Sequence, residues 1–473
     1  MTLTYDVAVL GGGIGGYTAA ISAAQAGKTV AIIEKDLLGG TCLHRGCIPS
    51  KSYLRSAELF AAMKESEQYG IVTDGVRLDF GKVAERKQNI VDQLHRGLQY
   101  LMNKNKIDVL QGKGRIIGPS IFSPKSGALA VELADGEMET VVSTNLIIAT
   151  GSRPRELPGL PFDGVHVMSS DDALRMSEIP ESIVIIGGGV IGVEWASMLC
   201  DFGVSVTIVE AAPQLLPAED GDIARELQRL LSRRGVKVLT NAAVAADTYR
   251  TDNGQIVIEA SHEGQPATLK ADKLLVSIGR QANVEHIGLE NTDIQVRDGV
   301  ILVNGSMQTT EPHIYAVGDV NGGLQLAHAA GHEGLLAVKH LNGEAVQPYA
   351  HHLIPRCIYS RPEVASVGWT EKQALERGHA VKKAKVPFSA IGKALVYGDS
   401  DGFVKVIADR NTNDILGVHM IGPHVTDLIS EAQLAQVLDA TPWEVGQSIH
   451  PHPTLSEIIG ETMLALDGKS INI

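Results

Sequence analysis

Cysteine is scarce: four residues in a chain of 473. That excludes a structural disulfide framework and fits a reducing compartment, where a bonded pair is more often catalytic. Aromatic residues make up only 4% of the chain, and 41 Lys and Arg stand against 55 Asp and Glu. A net charge of −14 leaves no excess of cations for phosphate backbones, so no nucleic-acid partner is expected. Long hydrophobic runs are lacking too. The most apolar stretch, Ser182 to Cys200, is broken by glycines and by Glu194, so it reads as a strand, a turn and a buried helix, and no membrane partner is expected. No basic or Arg-rich leader precedes the first strand, at Thr2 to Val7, so a cytoplasmic or an already processed protein is expected, the cytoplasmic setting being preferred. Low-complexity tracts and repeats of solenoid period are absent.

The chain does have length and apolar content. Its 44% hydrophobic residues support real cores, and its length suggests about three domains. Two βαβ units recur. The first opens with the strand Asp6-Val7-Ala8-Val9-Leu10 and the turn Gly11-Gly12-Gly13-Ile14-Gly15-Gly16. The second opens with Ser182 to Ile186 and Gly187-Gly188-Gly189-Val190-Ile191-Gly192. Each closes on a strand ending in an acid, Glu34 and Glu210. A glycine motif between a strand and a helix, with a distal acid, is a dinucleotide fingerprint. The first glycine (Gly11, Gly187) makes the turn, the second (Gly13, Gly189) admits the pyrophosphate at the helix N-terminus, and the third (Gly16, Gly192) lets the helix approach the strand. Glu34 and Glu210 are then placed for ribose hydroxyls. A carboxylate repels a 2′-phosphate, and Ala211 and Ala212 supply no compensating cation, so the second site is expected to take NAD over NADP.

Leu146 to Gly151 reads as a buried strand running into a turn, followed by Pro154 and Pro158, and a similar pattern ends at Gly279-Arg280. After about residue 350 the pattern alternates, in Val404 to Ala408 and Ile415 to Met420, and helical periodicity covers Thr426 to Leu438 and Thr454 to Leu466. The expected fold is α/β, with two Rossmann-like dinucleotide-binding domains and a closing α+β domain. The expected boundaries are 1–150, 151–277, 278–349 and 350–473.

Just after the first unit, Gly39-Gly40-Thr41-Cys42-Leu43-His44-Arg45-Gly46-Cys47-Ile48-Pro49-Ser50-Lys51 places two cysteines beside a dinucleotide site, which argues a disulfide that exchanges electrons. On a regular helix their Cα atoms would be roughly 8.6 Å apart, whereas a disulfide needs about 7 Å or less. If they bond, the backbone between them bends, and Gly46 and Pro49 suit such a turn. The segment reads as a distorted helix start. Cys200 and Cys357 read as core thiols.

These motifs, together with Ala149-Thr150-Gly151-Ser152, Gly318-Asp319, Leu326-Ala327-His328, Pro362-Glu363-Val364-Ala365 and His450-Pro451-His452-Pro453-Thr454-Leu455-Ser456-Glu457, resemble those of the FAD-containing pyridine nucleotide-disulfide oxidoreductases over essentially the whole length. Within that family the chain is most similar to the branch that oxidises protein-bound dihydrolipoamide with NAD. The resemblance implies FAD at the first fingerprint, NAD at the second, a homodimer built on the C-terminal domain, and an active site shared between subunits. It implies a lipoyl domain and the acyltransferase core of a 2-oxo acid dehydrogenase complex as partners.

Carried over by position, Cys42 is the thiol that meets substrate and Cys47 the one facing the flavin. Lys51 is similar to a lysine near the flavin that pairs with the family's glutamate, here Glu194. Asp319 is similar to the aspartate on the ribityl chain, with Leu326, Ala327 and His328 nearby. Lys113 and Gly114 resemble the adenine-side contact, and Thr150, Gly151, Ser152, Gly279 and Arg280 complete the cofactor motifs. His452 is the implied acid–base residue, with Glu457 as its orienter. The same Glu457 also fits a capping box with Thr454. His44-Arg45 departs from the Asn-Val common in the family: a cation there either lowers a thiol pKa or points to solvent. Glutathione or mercuric reductase chemistry and a non-catalytic flavoprotein scaffold are the alternatives. The chain ends without the terminal cysteine pair of mercuric reductases, and Glu210 disfavours the NADPH of glutathione reductases.

Overall fold

The computed structural model describes residues 2–119, 125–262 and 264–472. The chain divides into two compact units. Met1–Ser52, Lys82–Arg155 and Arg280–Tyr349 form the first; Tyr53–Gly81, Glu156–Gly279 and Ala350–Ile473 form the second.

In the first unit β1 (Thr2–Leu10), α1 (Ile14–Gln25) and β2 (Val30–Glu34) make the expected βαβ turn. The chain continues through α2 (Gly40–Arg45), α3 (Cys47–Lys64), α4 (Phe80–Lys104), β3 (Asp108–Ile117), β4 (Ala128–Leu133) and β5 (Met138–Ile148). The parallel sheet runs β3-β2-β1-β5, and β4 pairs antiparallel with both β3 and β5. A further parallel strand, β6 (Ile314–Ala316), lies on β5 and comes from far along the chain. Ile32, Ile33, Ile147 and Ile148 are almost wholly buried, as continuous apolar strands covered on both faces should be. Against this sheet α1 meets α5 (Ala327–Leu341) through small residues. A Cβ on Gly334 would come within 2.6 Å of the Gly15 carbonyl.

The second unit repeats the parallel arrangement. Its strands run in the order Lys237–Leu239, Ser205–Val209, Ser182–Ile186, Lys273–Val276, Val167–Met168. The stretch from Ser182 is a strand, a glycine turn and the helix Val190–Phe202. Among the described residues no helix is long and apolar enough to cross a membrane. The last part of the chain forms a five-stranded antiparallel sheet in which Phe403–Asp409 pairs with Ile415–Gly422.

The antiparallel sheet expected from the alternating pattern is there, and both of those strands are buried along their whole length. The polar members stay dry because they are paired. Lys405, 3% exposed, donates to Asp220, Asp222 and Glu371 at 2.8 Å each, and His419 donates to the Trp369 carbonyl at 3.0 Å. The helix expected from Thr454 begins at Glu457 and ends at Ala465. The three residues before it are held in a turn by their own side chains, Thr454 Oγ1 donating to the Pro451 carbonyl. The helix expected over 426–438 is Val425–Val437.

Candidate active site

Both glycine loops are built by backbone exclusion. Gly11 and Gly187 adopt φ of +110° and +104°, and a Cβ on either would strike a carbonyl, that of Ala149 at 2.3 Å or Ser277 at 2.5 Å. A Cβ on Gly16 or Gly192 would lie 1.9 Å from the Gly11 or Gly187 carbonyl, so the helix sits against its strand only without side chains. The middle glycines differ. A Cβ on Gly189 would meet nothing within 4 Å, and on Gly13 only the Gly40 Cα at 4.0 Å. Each is the N-cap of its helix with no side-chain cap, leaving backbone N–H groups open toward a space that suits a pyrophosphate. Nothing inside the protein demands glycine there.

The two acids brace these loops. Glu34 accepts the Gly12 N–H at 2.7 Å and the Asp36 N–H at 2.8 Å; Glu210 accepts those of Gly188 and Ala212 at 2.6 Å each. Each carboxylate keeps lone pairs for a ribose hydroxyl.

Residues distant in sequence meet beside the end of β5. Ser152 donates to Asp319, and Arg280 Nε donates to Ser152 Oγ at 2.7 Å, 3.9 Å from the Asp319 carboxylate. Thr150 Oγ1 donates to the Asn283 carbonyl at 2.8 Å, and Asn283 returns its amide to the Thr150 carbonyl at 2.9 Å. Gly151, at φ +67°, makes the turn between them. A buried residue that sequence reading missed, Glu333 (2% exposed), accepts the Gly318 N–H at 2.7 Å and the Asn321 amide at 2.8 Å. It shapes the loop that carries Asp319. Its signal was available: an acid on the apolar side of a helix needs partners. Leu326 caps α5, so Ala327 and the exposed His328 stand at an open helix N-terminus. Gly114 lies in β3, where a Cβ would strike Leu10 Cδ1 at 2.5 Å.

The cysteines occupy two helices rather than one distorted start. Cys42 is in α2, Cys47 opens α3, and Gly46 at φ −148°, ψ −112° breaks the path between them. Both are thiols here. A hydrogen bond with the Cys47 side chain, then burial, pushes the Cys42 thiol up, and Lys51 pulls it down. One shared proton therefore suits the pair better than two separate charges. Lys51 lies one turn beyond Cys47 on α3. Tyr17 of α1, overlooked in the sequence, senses both thiols: burial and then their charges raise its phenol. Leu43 anchors the segment in the core at 8% exposure.

His44 and Arg45 part ways, Arg45 lying at the partly exposed surface and His44 turning inward. Arg45 pairs with Asp36 at 2.6 Å, and half-buried His44 donates from Nε2 to the Leu38 carbonyl at 2.9 Å.

In the second unit Glu457 joins both readings of its role. One oxygen faces His452 Nδ1 at 2.8 Å and the other accepts the Thr454 N–H at 2.9 Å. Burial works to raise this carboxyl, but those hydrogen bonds hold it below the usual range. With Nδ1–H given to a carboxylate, His452 presents Nε2 as a base on a side chain 79% exposed. His450 is a flanking brace, Nε2 lying 2.8 Å from Glu431. Glu194 is buried at 5% and accepts the Tyr359 N–H at 3.0 Å. Gly279, at φ +107°, ends the second unit's last parallel strand with open space around it. Cys200 and Cys357 are half-buried and donate to backbone carbonyls, and Cys357 packs against the core of the last domain as expected.

Residues 5–334 match the family described as pyridine nucleotide-disulphide oxidoreductase, and residues 354–463 match its dimerisation domain. The chain belongs to the pyridine nucleotide-disulphide oxidoreductases. It is a flavin-dependent disulfide oxidoreductase with FAD and NAD as cofactors, and it carries the family's dimerisation domain. It is 60% identical over 473 residues, the whole of both chains, to a dihydrolipoyl dehydrogenase of Bacillus subtilis. It is 40% identical to a dihydrolipoyl dehydrogenase of Zymomonas mobilis, with 99% of each chain covered. Among solved structures it is similar to LpdA from Mycobacterium tuberculosis, with TM-score 0.90, 26% identity and 98% and 99% of the two chains covered. The flavoprotein disulfide reductase RclA of Escherichia coli aligns with TM-score 0.84 at 29% identity, over 97% and 99% of the chains.

Proposed function

We propose that this oxidoreductase oxidises dihydrolipoamide carried on a lipoyl domain and reduces NAD. Full-length identity of 60% to a dihydrolipoyl dehydrogenase carries the reading, and the coupled Cys42–Cys47 pair supports it. In the oxidised enzyme a substrate thiolate attacks Cys42 Sγ. The Cys42–Cys47 bond breaks, and Cys47 leaves as a thiolate. The second substrate thiol then attacks the sulfur already bonded to Cys42, which closes the lipoyl disulfide and leaves both cysteines reduced. His452 of the partner subunit takes the substrate proton at Nε2, and Glu457 holds that ring's tautomer and carries the imidazolium charge. FAD supplies, when bound, the two-electron relay from the dithiol to NAD. Lys51 offsets negative charge at the thiols, with Glu194 as its counter-charge. Gly11, Gly13, Gly16, Glu34, Gly114, Thr150 to Ser152, Arg280, Asp319 and Leu326 to His328 hold FAD; Gly187, Gly189, Gly192, Glu210 and Gly279 hold NAD. The enzyme works as a cytoplasmic homodimer docked on an acyltransferase core.

Steady-state NADH oxidation by the purified holoprotein, with lipoamide and with oxidised glutathione, tests this together with the visible spectrum at two-electron reduction. Turnover on lipoamide alone, with a long-wavelength charge-transfer band, is expected. Turnover on glutathione alone would transfer the substrate assignment to the reductase branch. A flavin spectrum without turnover on either would favour the scaffold reading.

A further inference from the structure

The loop between β2 and α2 ends three residues before Cys42, and two histidines converge on it. His44 Nε2, from α2 itself, and His95 Nδ1, from α4, each lie 2.9 Å from the Leu38 carbonyl oxygen, with the rings edge to face and centroids 5.1 Å apart. A carbonyl only accepts, so both rings donate: His44 as its Nε2–H tautomer and His95 as its Nδ1–H tautomer. The rest of the loop is already fixed. Gly39 N–H donates to the Gly12 carbonyl at 2.8 Å, and the Gln111 amide donates to the Asp36 carbonyl at 2.5 Å. The histidine pair adds a polar tie between this loop and α4, beside the apolar cluster that Leu38 and Leu43 share with Leu98 and Met102.

We propose that His44 and His95 are positioning residues for the redox dithiol, clamping the Leu38 carbonyl, and with it the Cys42 helix, to α4 while both rings are neutral. The surrounding charges make the clamp sensitive to protons. A cation on His44 faces the His95 ring and Arg45, and the carboxylate that acts on His44, Asp36, is engaged by Arg45 at 2.6 Å. Burial, then the neighbouring His95 and Arg45, pushes His44 down against the pull of the Leu38 carbonyl and Asp36. A cation on both rings would set like charges against each other at one carbonyl, with the centroids 5.1 Å apart. Release would cost Cys42 its burial and its hydrogen bond with Cys47, the two influences that raise its thiol.

The inference rests on reading Cys42 and Cys47 as the redox pair. Its test uses neither lipoamide nor NAD, so the two can fail separately. Amide hydrogen exchange of the reduced holoenzyme is measured at about pH 5.5 and about pH 7.5, each rate being divided by its intrinsic chemical rate. Protection of residues 39–45 should fall about tenfold at the lower pH, while β4 is unchanged. A double variant, His44→Gln with His95→Asn, keeps the donors without the titration and should show the same protection at both pH values. Should it fail to retain flavin, His95→Asn alone serves. At the higher pH, His95→Leu should lower protection about fivefold and speed iodoacetamide alkylation of Cys42 about threefold, and His95→Asn should restore both. Wild-type protection that ignores pH, a double variant that keeps the acid loss, or His95→Leu indistinguishable from wild type would each overturn the proposal.

Discussion

The two βαβ units share a scaffold and part company after their acids. In both, the first and third glycines are enforced by carbonyls 1.9 to 2.5 Å from any added Cβ, and the acid accepts one N–H from the glycine loop and one from the residue two further on. Beyond Glu34 the chain enters the short cysteine helices. Beyond Glu210 it enters the helix Gly221–Arg233, whose Asp220 and Asp222 accept from buried Lys405. One copy thus leads into redox chemistry, the other into an ionic anchor on the last sheet. A repeated nucleotide scaffold leaves function to the segment attached beyond its acid.

Eight substitutions would break or sharpen that contrast. Cys47→Ser should reduce dihydrolipoamide turnover by at least about a thousandfold, with flavin retained and unfolding free energy changed by less than about 0.5 kcal/mol. Retained turnover would remove the redox role from the first copy. Lys405→Met should do the reverse, destabilising the fold by about 3–5 kcal/mol because three carboxylates lose their buried counter-charge, as denaturant melting would show. The same cluster predicts an acid limb. Burial works to raise Asp220, Asp222 and Glu371, but Lys405, with His419 beside Asp220 and Lys383 beside Glu371, holds all three below the usual range. Their contribution is therefore complete above the unfolded carboxylate values near about 4 and is lost as pH falls through the lower folded values. Lys405→Met should flatten that limb.

Within the glycine loops, Gly16→Ala and Gly192→Ala should each cost at least about 3 kcal/mol, since backbone must move. Gly13→Ala and Gly189→Ala should cost less than about 1 kcal/mol and instead weaken the dinucleotide at their own site, read by flavin retention for the first and by KM for NADH for the second. Equal destabilisation at all four positions would mean that the middle glycines serve the fold. The smallest effect belongs to the acids. Glu210→Ala should narrow the preference for NADH over NADPH by about tenfold, whereas Glu34→Ala should lower flavin retention and leave that ratio alone.

Glycine spacing, the distal acids and the cysteine pair are local chemistry, and by themselves they mark two nucleotide sites and a redox loop. Periodicity served the helix Val425–Val437 and the antiparallel sheet well, yet alternation does not reveal that both of its central strands are buried throughout, with Lys405 paired to three carboxylates inside. The start of the final helix was misplaced for a similar reason. Thr454 and Glu457 satisfy each other in a turn, which a helical pattern of apolar residues does not register.

Local sterics and capping chemistry settle the close approach of Gly16 to Gly11 and of Gly192 to Gly187, the break at Gly46 and the tautomer of His452, since each depends on residues within one or two turns of each other. Long-range pairing decides the rest. The fifth parallel strand of the first sheet is Ile314–Ala316, from late in the chain, whereas the second sheet takes the preceding Val167–Met168. That choice brings Asp319 to Ser152 and Arg280, and a carbonyl shared by His44 and His95 ties the cysteine helix to a distant one. Apart from His44 on Leu38, such contacts pair groups about forty or more positions apart, where burial and hydrogen-bond satisfaction over the whole core, not neighbouring residues, select the partner.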